Sequence, residues 1–530
     1  MYSEVFGATF FGLSAFTVRV ETDVGSGLPC FEMSGYLTNE VKEAKERVKV
    51  AIKNSGFDLC PQRIVINYSP ADLRKRGTGL DLPTAVGVLA ANSLTGYSHL
   101  KNTVFIGELG FDGSVREVRG CLPCLMEAKK QGFINAIVPY SNLGESSFVK
   151  DLNIYPVRDL KEVTELISNE KLPEPQPLKK ECKRTEVSDG YDFSDIRGQD
   201  DVKRATLVAA AGMHNILYIG SPGSGKSMFA KRIPTILPPL SYEEKTELTK
   251  IYSVAGKLKS QNGLLSKRPF RSPGQNITEP ALLGGGNSPD PGEITLASKG
   301  VLFLDELTQY RLHVIEALRQ PLEDKKITVA RNRYSITYPA DFMLVGAINP
   351  CKCGFYPDRM RCRCSDLDIE RYFGRISGPM LDRFDIRIYT APVSFSDMFS
   401  EKKHTCRPDD PFLEKKQDDS HLITVSSEKM REQVCMAQEI QEKRFKNTGH
   451  RFNSEMSESE VKQFCSLKSE ELKFLEAVFE RLRLTARGCN KILKTARTVA
   501  DLSGSNDIKK SHIAVAVGFR NDENINKISL

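Results

Sequence analysis

Nothing in the 530-residue sequence approaches the roughly 20 consecutive apolar residues that a bilayer-spanning helix needs, which argues against a helical membrane protein. The first sixteen residues, MYSEVFGATFFGLSAF, carry Glu4 and lack both a basic leader and a small-residue cleavage site, so no secretory signal is read there and a cytoplasmic location is expected. Strong charge bias is missing too. Against 75 Lys and Arg stand 68 Asp and Glu, a net +7, which permits a polyanionic partner without demanding one. Thirteen cysteines, an odd number without a secretory context, exclude a disulfide framework and predict reduced thiols. No internal repeat is visible, and no helix-turn-helix or DNA-reading zinc finger is recognisable. An apolar share of 40% and a charged share of 27% rule out a largely disordered chain.

What is present is length enough for roughly two to four hydrophobic cores. Residues 1–168 mix β-rich runs at 64–69 (IVINYS), 103–110 (TVFIGELG) and 136–140 (AIVPY) with helical stretches. Over 38–55, apolar Val41, Ala44, Val48 and Ala51 recur at helical spacing, with Thr38 or Asn39 to cap the start and Gly56 to end it. A second helix is predicted over 82–94, and the segment reads as α+β. Residues 169–190 shift to proline and mixed charge, the composition of a linker. From 191 to 395, short, uniformly apolar strands alternate with helices, the signature of a parallel sheet covered on both faces. A charged, poorly periodic connector at 396–426 precedes helical sequence at 427–530. The predicted class is α/β multidomain.

GSPGSGKS spans Gly220, Ser221, Pro222, Gly223, Ser224, Gly225, Lys226 and Ser227. An apolar strand precedes it and a helix start follows, the context of a P-loop rather than of a plain glycine-rich turn. The glycines let backbone N–H groups turn inward around phosphates, Lys226 neutralises the β and γ oxygens, and Ser227 is placed to ligate Mg²⁺. Further on, VLFLDE delivers Asp305 and Glu306 to the C-terminal end of a strand, where open α/β sheets bind ligands. Asp305 is expected in the Mg²⁺ shell and Glu306 as the group that polarises the attacking water. ATP and Mg²⁺ are therefore the expected substrate and cofactor.

Cys351, Cys353, Cys362 and Cys364 form two C-x-C pairs across a spacer containing Gly354 and Pro357. Two thiolate pairs on a tight loop suit tetrahedral Zn²⁺, and Lys352, Arg359, Arg361 and Arg363 would favour the thiolates. Zinc and a reduced, unliganded cluster stay open as readings, with an iron–sulfur site behind both.

The ordered motifs resemble those of the AAA+ superfamily and closely those of the magnesium-chelatase-like ComM/YifB family. DFSDIRGQ at 192–199 is similar to the adenine-side element, which places Ile196 at the nucleotide. The run from RPFRSPGQ at 268–275 to VLFLDEL resembles the family's insert leading into Walker B. GAINPCKCG would supply sensor 1, Asn349; SGPMLDRFD the arginine finger, Arg383; and LTARGCNKILKTARTVADLSG the helical lid with sensor 2, Arg487. The family segment commonly reads RSPHH where this chain has Gly274 and Gln275. GTGLDLP and the following helix resemble a Lon-protease-type domain, but Gly79, Leu80 and Pro123 stand around the places of the Ser-Lys dyad, so no peptidase is expected. The resemblance implies an ATP-driven, hexameric DNA branch-migration or helicase motor of natural transformation, binding branched or single-stranded DNA without sequence preference. The alternative is a protein-remodelling ATPase of magnesium-chelatase type.

Overall fold

The computed structural model describes residues 1–96, 98–175, 190–258, 263–286, 290–331, 334–391 and 426–520. Most of the expected linker at 169–190 and nearly all of the connector at 396–426 lie outside these residues.

Alternation of side chains along strands builds the first sheet. Its seven strands run in the order Cys30–Ser34, Arg63–Ser69, Ser14–Gly25, Tyr2–Phe11, Thr103–Phe105, Asn135–Pro139 and Asn153–Val157. Two antiparallel pairings around Ser14–Gly25 join otherwise parallel neighbours. The helix Asn39–Asn54 turns Val41, Ala44, Val48 and Ala51 into the core, and Gly56 follows it with φ +84°, the left-handed stop that its sequence implies. The second helix is shorter than its periodicity predicts, Asp81–Ala91.

TVFIGELG is not one strand. Pairing in the large sheet stops at Phe105, and Glu108–Leu109 pairs instead with Val115–Arg116. The cause is Gly107, whose backbone leaves the sheet to accept a hydrogen bond from Leu82 N–H and donate one to Gly79 C=O, both 3.0 Å. A Cβ at Gly107 would stand 2.8 Å from Val115, so only glycine fits this crossing.

The second sheet is fully parallel, in the order Phe270–Arg271, Val301–Leu304, Met343–Ile348, Ile216–Gly220 and Ile386–Thr390. Its three central strands are buried along their whole length. Residues alternate between two cores: Ile216, Tyr218, Val301, Phe303 and Val345 face one side, whereas Leu217, Ile219, Leu302, Leu304 and Leu344 face the other. That two-sided burial is what continuous apolar runs encode. The helices Asp200–Gly212 and Lys226–Ile236 supply residues to the first of these cores.

The units around the two sheets are joined by side-chain packing and by a backbone hydrogen bond. Phe11, at the end of its strand, and Leu13, in the turn that follows, pack on the second core, and Gly120 N–H donates to Ser253 C=O at 3.1 Å. Helices from Ser427 to Gly518 follow, and Ser427–Arg444 and Ala486–Leu502 both contact Asp200–Gly212. No helix among the described residues is long and apolar enough to cross a membrane.

One buried ion pair fastens the last helices to the core. Lys491 Nζ lies 2.8 Å from Asp385, and His214 Nδ1 lies 3.5 Å from the same carboxylate. Burial opposes the charge of Asp385, yet Lys491 and His214 hold its carboxyl well below the usual carboxylate range. Removing one partner of a buried pair leaves the other charge uncompensated, so Asp385→Asn is expected to cost about 3 kcal/mol and to lower the thermal midpoint of the full chain by several degrees. Because the folded pKa is depressed, the contribution of Asp385 is present above the unfolded pKa of about 4 and is lost as pH falls below it. The gap in midpoint between wild type and Asp385→Asn should therefore shrink on acidification.

Candidate nucleotide site

Parallel strands that end together bring distant residues to one edge. The loop after Ile216–Gly220 enters the helix Lys226–Ile236 through Gly223 and Gly225, at φ +80° and +84°. Gly220 has no room for a side chain, since a Cβ there would come within 2.0 Å of Thr390 Oγ1. Thr390, at the end of the neighbouring strand, also bonds Ser224 Oγ at 2.7 Å and so holds the loop against the sheet. Neither contact is visible in the spacing of the motif.

Lys226 is buried and donates to Gly220 C=O at 2.7 Å, Ser221 C=O at 2.9 Å and Asn349 Oδ1 at 3.1 Å. Burial lowers its pKa, and Asp305 and Glu306 act in the opposite direction. Ser227 Oγ donates to Asp305 Oδ2 at 2.9 Å. These are two hard oxygen donors side by side, the chemistry that suits Mg²⁺. Three strand ends thus converge: Lys226 and Ser227 from one, Asp305 and Glu306 from the second, Asn349 from the third.

Glu306 is exposed and adopts φ +50°, an uncommon conformation for a residue with a side chain. Its carboxylate accepts a hydrogen bond from Gln275 Nε2 at 2.8 Å. Gln275 is one of the two residues at which the chain departs from RSPHH, so the departure places an amide on the acid that ends the strand.

Ile196 is buried, 6% exposed. Its segment is tied to the P-loop helix by Arg232, which donates to Asp192 C=O at 2.6 Å and to Asp195 at 2.8 Å. Gln199 Nε2 bonds Ser224 C=O at 3.1 Å and Ala391 C=O at 3.0 Å, a second tie. Arg232 carries no motif signal of its own, and Gln199 closes the DFSDIRGQ segment without its bond to Ser224 being readable there.

Arg383 and Arg487 stand elsewhere. Together with Asp382, Asp385 and Lys491 they line a cavity of about 680 Å³ between the core and the C-terminal helices, to which residues 220–227, Asp305, Glu306 and Asn349 contribute nothing. Arg383 Nη2 contacts Glu323 at 2.5 Å, and neither adjacent aspartate is its partner; Asp382 lies instead near Arg387, at 3.7 Å.

The cysteines do gather. The Sγ atoms of Cys351, Cys353, Cys362 and Cys364 all lie within 4.8 Å of one another, and all four thiols are free. Burial works against ionisation of Cys353, but hydrogen bonds from the Phe355 backbone and the neighbouring thiols bring its pKa down to about 6. Of the surrounding arginines, Arg359 donates to Cys364 C=O at 3.0 Å, pairs with Asp366 and lies over the Tyr356 ring, and Arg361 lies over Phe355, 4.3 Å from its centroid.

Comparison with known proteins follows this layout along the chain. Residues 192–398 match the family of magnesium chelatase, subunit ChlI; residues 20–142 match the model for subunit ChlI of Mg-chelatase; and residues 424–520 match the ChlI C-terminal model. The competence protein ComM of Haemophilus influenzae is 37% identical over 521 residues, 97% of each chain. YifB of Escherichia coli is 37% identical over 510 residues, covering 96% of this chain and 95% of its own. The magnesium-chelatase 38 kDa subunit of Rhodobacter capsulatus is 27% identical over 176 residues, 30% of this chain and 50% of its own. Near-complete coverage at this identity, with chelatase-type domains in order, makes the chain a member of the ComM/YifB family of magnesium-chelatase-like proteins.

Proposed function

We propose that the chain is a magnesium-dependent ATPase of the AAA+ type that assembles into a hexameric ring in the cytoplasm and remodels DNA during recombination in natural transformation. The observation that carries the ATPase reading is the convergence of Lys226, Ser227, Asp305, Glu306 and Asn349 on one edge of the parallel sheet. Residues 1–168 act as a Lon-like, non-proteolytic collar, 191–395 as the motor and 427–530 as the lid.

In this reading, backbone N–H groups of 220–227 at the helix N-terminus cradle the phosphates, and Lys226 exchanges its loop carbonyls for phosphate oxygens. Ser227 and Asp305 would hold Mg²⁺, which would supply neutralisation of the phosphate charge. Glu306 takes the proton of the attacking water, and Asn349 orients that water from the side of Lys226. Arg383 and Arg487 share a cavity lined by none of these groups, which supports their serving a neighbouring subunit's nucleotide together. Glu323 then acts as the resting partner of Arg383.

The DNA assignment rests on the relationship to competence protein ComM. Contacts would go to phosphates, without sequence readout. The magnesium-chelatase match of the core favours a second reading, a protein-remodelling ATPase. ATP hydrolysis measured with forked DNA, unfolded protein or a porphyrin separates the two. Stimulation by forked DNA that weakens steeply with added salt is expected; stimulation by unfolded protein or porphyrin alone would transfer the chain to the second reading.

Zinc in the cysteine cluster is part of the proposal. Separations of 3.3, 3.5 and 3.7 Å between the sulfurs of Cys351, Cys353 and Cys362 approach the edge of about 3.8 Å that follows from Zn–S bonds of about 2.3 Å. Thiolate ligands in tetrahedral array select zinc over harder cations.

A further inference from the structure

We infer that the four-cysteine metal centre is a clasp on the phosphate-binding loop, so that metal occupancy sets the affinity of this chain for nucleotide. The inference rests on the zinc reading above and adds to it a coupling between two sites.

The cysteine loop touches the P-loop directly. Gly354, between the first and second cysteine pairs, is buried with φ +84°, and a Cβ on it would stand 2.5 Å from Pro222 Cδ and 2.9 Å from Pro222 Cγ. Bare backbone is therefore packed against the proline ring inside GSPGSGKS. Pro222 is itself exposed on its other side, which leaves Gly354 as a wall for that part of the loop. A second connection runs through the main chain. Cys351 is two residues beyond Asn349, whose side chain accepts from Lys226 at 3.1 Å, and Cys351 is fully buried.

The two sides of the loop are held by burial, since Cys351 and Cys362 belong to the second core of the parallel sheet and Cys353, Phe355, Tyr356 and Cys364 pack against it, and the sulfur cluster ties those sides together. Cys351 stands just beyond the strand Met343–Ile348, and Cys364 lies just before Ser365, the N-cap of the helix Asp366–Phe373. Between these anchors the loop has short turns, Gly354 N–H to Cys351 C=O at 3.0 Å and Cys362 N–H to Asp358 C=O at 2.8 Å. Residues 357–361 are exposed, and Met360 is 96% exposed. That exposed turn between the two cysteine pairs has little apolar burial of its own to fix it. One metal bound by both pairs would fasten the two sides of this turn to each other, as metals do in small cysteine-rich units. Without it, the Gly354 backbone is held on Pro222 by side-chain packing alone, and Asn349 loses part of the rigidity of the segment that follows it.

The test uses the full-length chain. Metal content is measured by mass spectrometry, and affinity with a fluorescent ATP analogue in the presence of Mg²⁺. Wild type is expected to carry one zinc per chain. Removal of zinc by a nitrogen-donor chelator that spares Mg²⁺ should weaken nucleotide binding by about tenfold or more, and zinc added back should restore it. Gly354→Ala should keep its zinc and bind nucleotide about tenfold more weakly, because its Cβ pushes on Pro222 while the cysteines are intact. If wild type carries no zinc, the metal reading falls and the clasp with it. If zinc is present but neither its removal nor Gly354→Ala changes affinity, the clasp alone is overturned. Should Gly354→Ala fail to fold, the stripped and reloaded wild type decides.

Discussion

An Arg383→Ala chain is expected to bind ATP normally yet turn it over about 10³- to 10⁵-fold more slowly, the worth of an arginine finger in phosphoryl transfer. Loss of stability cannot account for a fall of that size. The partner of Arg383 in the single subunit is Glu323, 57% exposed where Arg383 is 14% exposed, and an ion pair open to solvent on one side contributes on the order of 1 kcal/mol. The cavity shared with Arg487 contains no residue of the P-loop, so the two arginines are expected to work across a subunit boundary. This makes a mixing experiment decisive. Combined with Glu306→Gln subunits, Arg383→Ala subunits should regain activity, because some interfaces then join an intact pocket from one variant to an intact arginine from the other. Two inactive variants whose mixture stays inactive, or an Arg383→Ala chain that hydrolyses at the wild-type rate, would refute the shared site.

Glu306→Gln should lower turnover by about 10²- to 10⁴-fold, the usual contribution of a positioned general base. Nucleotide binding should survive. The contacts of Lys226 with the loop carbonyls and Asn349, and of Ser227 with Asp305, do not involve Glu306. The substitution also isolates charge from shape, since glutamine is isosteric and meets the same φ of +50° that the glutamate already bears. The Gln275 amide can still donate to the remaining carbonyl oxygen. Turnover and nucleotide affinity measured on the same preparation test the claim: unchanged hydrolysis would remove Glu306 from the reaction, and lost binding would recast it as a structural residue.

Gln275 shows why this site was only partly legible. In the sequence it is a deviation from a family pattern, thirty-one positions before Glu306, and nothing local says that the two meet. Thr390 and Arg232 are silent for the same reason: each is an ordinary polar residue whose role is a hydrogen bond to a distant backbone or side chain. TVFIGELG misleads in the opposite direction. Its apolar run reads as one strand, while the crowding of Gly107 by Val115 and its bonds to Leu82 and Gly79 divide it.

The sequence by itself determined whatever is contiguous along the chain. The P-loop spacing, the apolar strand that delivers Asp305 and Glu306, the helix over 39–54 and the two C-x-C pairs are local patterns, and local backbone preference with periodic burial suffices to write them. Only the tertiary structure decided what lies opposite what. Parallel strands place Asn349 on Lys226, a loop turn lays Gly354 on Pro222, and the packing of the last helices brings Arg487 to Arg383 and away from the P-loop of its own chain. Those pairings join residues from about one hundred to well over one hundred positions apart. They exist because two-sided burial of one sheet leaves its strand ends a single common edge, a constraint that no short window of sequence contains.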